Sequence, residues 1–147
     1  MSWSTIRTAI LERFQAQSPV PAERQALDSF NLPFTPPAID AGTPANSIWI
    51  RPTIVPFRGT SKPFGLAQNA HNWREGQIVL QIFYPSGFGE GPFLDSVVVA
   101  AVQIFHRLYL GDALRCKDSE DPEPVDSDDP KWSQINVVTP YVVIEVL

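Results

Sequence analysis

Apolar residues recur at steps of three and four at the start of the chain: Trp3, Ile6, Ile10 and Phe14. That spacing predicts a helix running to about Gln15, with Arg7, Glu12 and Arg13 off the apolar face. Ser2 or Ser4 supplies the cap, because a hydroxyl accepts from a free N–H of the first turn. Alternation then replaces the helical period. Over Ile48–Phe57, Ile48, Ile50 and Ile54 face one way, and Trp49, Arg51, Thr53, Val55 and Phe57 the other. Pro52 and Pro56 cannot donate ladder bonds, so this strand is expected at a sheet edge or with a bulge. Trp73–Tyr84 alternates Ile78, Leu80, Ile82 and Tyr84 against Val79, Gln81 and Phe83. Its near-continuous apolarity predicts a central strand covered on both faces.

Pro92 is suited to a first helical position, and Leu94, Val97, Val98, Ala101, Phe105 and Leu108 continue a buried stripe to about Leu110. Gly111 is the expected stop. A short strand is expected at Ala113–Cys116, and strands at Gln134–Val138 and Tyr141–Leu147 broken by Pro140. Between the first helix and first strand, Pro19, Pro21, Pro33, Pro36, Pro37 and Pro44 rule out a long helix or a central strand. Residues 18–46 read as an extended proline-rich arm, with a short helix at most over Ala22–Phe30. Leu32, Phe34 and Ile39 imply that the arm packs on the body. Residues 58–72 read as a long structureless connection, a feature that is uncommon and often functional. The order predicts one domain over 1–147 of the α+β class: a mostly antiparallel sheet packed on one face by two helices, with long loops.

Composition sharpens this in one respect. At 147 residues and 44% hydrophobic, the chain can bury a core. Its net charge of −5 is concentrated: seven of 16 acids lie between Asp118 and Asp129, with no Lys or Arg among them, leaving nine acids against 11 bases elsewhere. The segment 118–130 reads as an acidic surface loop, and a nearly neutral body lacks the basic stripe that direct nucleic-acid recognition needs. No apolar run reaches membrane-spanning length. The opening MSWSTIRTAILERF lacks a basic region followed by a clean apolar core, so no secretory signal is expected. The single Cys116 forms no intrachain disulfide and reads as a spare thiol near a helix end.

Strand, glycine loop and helix follow one another at YPSGFGEGPF, residues 84–93, the order of a phosphate cradle. The residues argue for a turn instead. The pattern is neither GxGxxG nor a P-loop, Pro92 removes a needed N–H, Glu90 puts a carboxylate where the anion belongs, and no Lys or Arg is present. His71, His106 and Cys116 lack the close spacing of zinc ligands. The acidic run lacks the central glycine and the final glutamate of an EF-hand loop. Ser86 is not in a GxSxG elbow. No catalytic, metal or cofactor site is therefore expected, and no enzyme. Trp49, Phe57, Phe64, Trp73 and Phe88 read either as mostly core residues or, since not all can reach one small core, as including several that line contacts between subunits.

Residues 47–107, SIWIRPTIVPFRGTSKPFGLAQNAHNWREGQIVLQIFYPSGFGEGPFLDSVVVAAVQIFHR, together with the opening TIRTAILERF, resemble the tail-terminator-like proteins of long-tailed bacteriophages. The shared order is an aromatic-bearing strand, a variable loop, Arg74-Glu75-Gly76 opening a second strand, a small-residue loop, and a helix opening Leu94-Asp95-Ser96-Val97-Val98 with Phe105. The proline-rich arm and the acidic loop depart from that pattern. The resemblance implies a virion structural protein, made in the host bacterial cytoplasm, that acts in tail completion. It would cap the tail tube as a usually homo-hexameric ring, stop tube polymerisation and offer a head-joining surface. Its partners would be copies of itself, the tail tube protein and a head connector or head-completion protein, with no membrane. Arg58, Lys62 and Phe64 are candidate assembly contacts. Asp118, Glu120, Asp121, Asp126, Asp128 and Asp129 are candidates for an electrostatic docking edge. The alternatives are another neck or tail-tube component of similar fold, or a small ligand-binding domain.

Overall fold

A computed structural model describes residues 2–27, 34–56, 62–64, 71–87, 92–111 and 113–146. The chain is α+β, with two helices against an antiparallel sheet. Helix α1 spans Trp3–Gln17, and Ser2 is its cap, accepting from the Thr5 N–H at 3.2 Å. The strands are β1 (Trp49–Pro56), β2 (Lys62–Phe64), β3 (His71–Pro85), β4 (Tyr109–Leu110), β5 (Leu114–Cys116), β6 (Glu123–Val125) and β7 (Trp132–Val146), with α2 (Pro92–Phe105) after β3. Their order is β1-β3-β7-β5-β4, with β2 also on β3 and β6 also on β7.

The two 15-residue strands, β3 and β7, form the spine, in register from His71 opposite Val146 to Pro85 opposite Trp132. Alternation decides their faces. Ile78, Leu80 and Ile82 of β3, with Ile135, Val137 and Val143 of β7, meet Ile6, Ile10 and Phe14 of α1 and Leu94, Ala101, Ile104 and Phe105 of α2 in one core. Arg13 fastens the two helices, its Nε donating to the Ile104 carbonyl at 3.1 Å near the α2 C-terminus. There a cation also meets the negative end of the helix dipole.

Among the described residues, the sheet's other face is covered at one end by the arm. The arm brings Ala26 and Phe34 over Trp49, Phe83 and Trp132. Trp49 stacks on Phe83 with centroids 4.0 Å apart, and Phe34 tilts onto Trp49 at 5.0 Å. The Ala26 N–H bonds the Ile50 carbonyl, and Arg24 donates to the Ala45 and Ile48 carbonyls, which ties the arm to the β1 edge. Thus β3 is central, as its apolarity predicts, but the second face is not fully covered. The arm's expected helix shrinks to one turn at Ala22–Arg24. Leu32 lies outside the described residues, and Ile39 is exposed rather than packed.

Other expectations change for local reasons. Helix α2 stops at Phe105 because Arg107 takes a left-handed φ of 52°, sending Leu108–Leu110 toward β4. Gly111, at φ 67°, then turns β4 into β5 instead of ending the helix. Gly87 is at φ 90°, in keeping with a turn, while Phe88–Gly91 lie outside the described residues. Cys116 is buried on β5, its N–H bonding the Leu108 carbonyl just past the end of α2. The connection 58–72 is not wholly irregular: Lys62–Phe64 pair with His71–Trp73. The acidic 118–130 segment is likewise more than a loop, since Glu123–Val125 pair with Asn136–Gln134.

Pro140 does not break β7. A residue's N–H and C=O point to the same neighbouring strand, and successive residues alternate. The carbonyls of Val138 and Pro140 accept from Glu120 and Lys117, and the Ile144 N–H donates to Ala113. Even-numbered residues of β7 therefore bond away from β3, so the proline's missing donor deletes no bond of the spine.

Candidate functional site

The same alternation explains where the other strand prolines sit. Ile50 accepts from the arm outside β1, so Pro52 and Pro56 also turn their donorless nitrogens outward. The odd residues of β3 serve β1 and hence bond β2 through His71 and Trp73, which leaves Pro63 outward. Even residues of β7 bond β6 through Gln134 and Asn136, which leaves Pro124 outward. Edges bearing prolines in these positions cannot extend the ladder to another chain.

Among the described residues, the sheet face away from the helices is partly open: Arg51, Thr53 and Val55 are exposed, Val79 and Val138 half-buried and Val142 buried. Its side chains line up in rows set by the register. One row runs Arg51, Gln81, Asn136, Glu123. Arg51 Nε donates to Gln81 Oε1 at 2.6 Å and its guanidinium lies 5.2 Å from the Phe83 ring centre. The next two rows, Thr53–Val79–Val138 and Val55–Gln77–Pro140, are uncharged across β1, β3 and β7, and Lys117, whose N–H bonds the Pro140 carbonyl, stands at the flank of the second. The fourth row runs Glu75, Val142, Arg115, Tyr109, with Arg115 over the Tyr109 ring at 5.4 Å and Lys117 3.9 Å from Glu75. Val55 is 40% and Tyr109 68% exposed. An uncharged centre with charged margins is the composition of a protein–protein contact.

The residues singled out from sequence fall at the sheet's two sides. Lys62 and Phe64 are on β2, at the β1 side, while Arg58 lies outside the described residues. Phe57 lies outside them as well, as does Phe88. The acidic residues line the β6 side, all exposed. Asp118 pairs with Arg107, whose guanidinium holds the carboxyl below its usual range. The neighbouring Ser119 is clasped from three sides: its N–H donates to His106 Nδ1 at 2.9 Å, and its hydroxyl meets the Val102 carbonyl and Thr139. Glu120 bonds β7 through its N–H, and Asp129 Oδ1 accepts from the Lys131 N–H in the turn into β7. Asp121, Asp126 and Asp128 project from the same segment. Sequence reasoning missed Arg51, Arg115 and Glu123 as surface groups of one face. The alternation around Pro124 was the available signal, but it is only three residues long.

His106 is committed to Ser119, and Ser86 to Ser133 at 3.0 Å. Among the described residues no group of three or more His, Cys, Asp or Glu is placed to hold a metal ion, and no helix is long and apolar enough to cross a membrane. An open groove of about 430 Å³ lies along the arm, lined by Pro21, Glu23, Arg24, Pro37 and Asn46.

No protein-family model and no curated protein matches the chain. Solved structures share its fold. One, whose name carries no function, is 17% identical, with 97% of this chain and 96% of that chain aligned and a TM-score of 0.62. At that identity the likeness speaks to the fold alone.

Proposed function

We propose that the chain is a tail-terminator-like structural protein of a long-tailed phage, closing the end of the tail tube as a ring of copies and joining it to the head. One observation carries the reading: exposed carboxylates gather at one side of the sheet. The β1–β2 side bears Arg51 and Lys62, and the β6 side bears the exposed acidic run. Unlike sides favour head-to-tail contact, and head-to-tail contacts close into rings when the rotation permits. Outward prolines on both sides support the same reading, because copies then meet through side chains and not through an endless ladder. The elements bearing the resemblance, β1, β3 and α2, also stand in the expected order.

Deleting the gene in the phage that encodes it tests this. The expected phenotype is overlong or headless tails. Absent tails, or normal infectious particles, would reject it. With purified tube, binding is expected to weaken as salt rises, since exposed charges are screened. Binding flat across ionic strength would remove the acidic segment from the contact.

A further inference from the structure

We infer that the open sheet face is the contact surface of a two-fold dimer of this chain. The inference rests on the face's own symmetry and goes beyond the terminator reading, since a two-fold contact is complete at two copies.

The charged rows lie at Asn136 and Val142 of β7, which puts Glu123 and Arg115 on the same flank about 20 Å apart at ~3.3 Å per residue. Between them the two middle rows are uncharged across β1, β3 and β7, with Lys117 beside Pro140 at the flank. Consider a two-fold axis along the rows, through the register position of Ile78 and Thr139. It turns the Asn136 row of one copy onto the Val142 row of the other. Glu123 of each copy then faces Arg115 of its mate, twice over. Val138 meets Pro140, and Thr53 meets Val55. The rotation also carries the arm clusters around Phe34 and Trp49 to opposite ends of the contact. The reverse choice, an axis along the strands, brings both raised arms to one end.

The occupant is therefore a second copy: the face complements itself in charge and in apolar matching under one operation, as an isologous interface must. Prolines close strand addition at the outer edges of β1, β2 and β6. Two sheets stacked this way keep their strands within the roughly 30° of aligned sheet packing, ~10 Å apart.

The test is a charge exchange read by sedimentation velocity on the full chain over a range of concentrations. Both side chains are exposed, so neither swap reaches the core. The wild-type chain is expected to dimerise. Glu123→Arg and Arg115→Glu alone each set like charges together and are expected to weaken association at least about tenfold. An equimolar mixture of the two single variants is expected to recover the dimer, because each chain then offers the other its complement. That recovery also shows that both variants fold. A wild-type chain that stays monomeric overturns the inference, as do swaps without effect or a mixture that stays dissociated. A ring that survives every swap would retain the terminator reading and dismiss this contact.

Discussion

The ring of Tyr141 on β7 occupies the space that a side chain on Gly76, its register partner on β3, would need. A Cβ built on Gly76 would overlap the ring, coming within 2.6 Å of Cε1. Gly76 is not at positive φ, so it is required for room and not for backbone freedom. Gly76 of the Arg74-Glu75-Gly76 stretch of β3 thus has a packing reason. Gly76→Ala is expected to cost about 1–3 kcal/mol by forcing the ring aside. With Tyr141 already truncated to Ala, the same change is expected to become neutral or to stabilise by up to ~1 kcal/mol, because Ala narrows the unfolded ensemble. Denaturant unfolding of the double-mutant cycle measures the coupling; equal costs in both backgrounds would refute it.

The Trp49 indole N–H is buried without an acceptor while its ring stacks on Phe83. An unsatisfied buried donor costs about 1–3 kcal/mol, so removing it offsets much of the lost ring volume. Trp49→Phe is accordingly expected to stay within about 1 kcal/mol of wild type, whereas Trp49→Ala should cost roughly 3–5 kcal/mol. If Trp49→Phe proves as harmful as Trp49→Ala, the donor has an acceptor after all.

Burial on β5 pushes the Cys116 thiol up to about 12, with Arg13 opposing the shift. A thiol with a raised folded value is stabilising while protonated. Its contribution is fully present below the ordinary thiol range and is lost as pH rises from about 9 toward about 12. Burial shifts Tyr141 upward too, adding to the same alkaline loss. Melting temperature should fall across that window, with a shallower slope in Cys116→Val. Ellman's reagent should label the thiol only after denaturant is added. Rapid labelling of native protein would contradict the burial argument.

Pro52 and Pro56 keep the outer edge of β1 from offering a row of donors. Replacing both with Thr should leave the monomer's melting temperature almost unchanged but produce concentration-dependent aggregates with added β signal. Light scattering and far-ultraviolet dichroism follow both quantities. A double variant as soluble as wild type would show that the edge is protected by something else.

Much of this fold is legible along the chain. The three-four spacing of Ile6, Ile10 and Phe14 and the alternation of Ile78, Leu80 and Ile82 each state which side of a segment is buried. That information is local, because period follows from backbone geometry. The prolines in β1 announced an edge for the same reason. Pro140 shows where local reading stops. Whether a missing N–H matters depends on which neighbour it faces, and that neighbour, the 117–120 segment, is chosen by the tertiary fold. The three-residue strands β2 and β6 escape detection because their pairing depends on the long strand already beside them. Arg107 ends α2 by a conformation that its residue type does not advertise.

The amino-acid order by itself determined the α+β class, the buried face of each long element and the gathering of negative charge in one segment. Only the tertiary structure decided that Arg51, Gln81, Asn136 and Glu123 form one row and that the strand prolines turn outward. The reason is physical: side-chain period is a property of a single strand, whereas register and edge are properties of a pair, set by contacts between residues far apart in the chain.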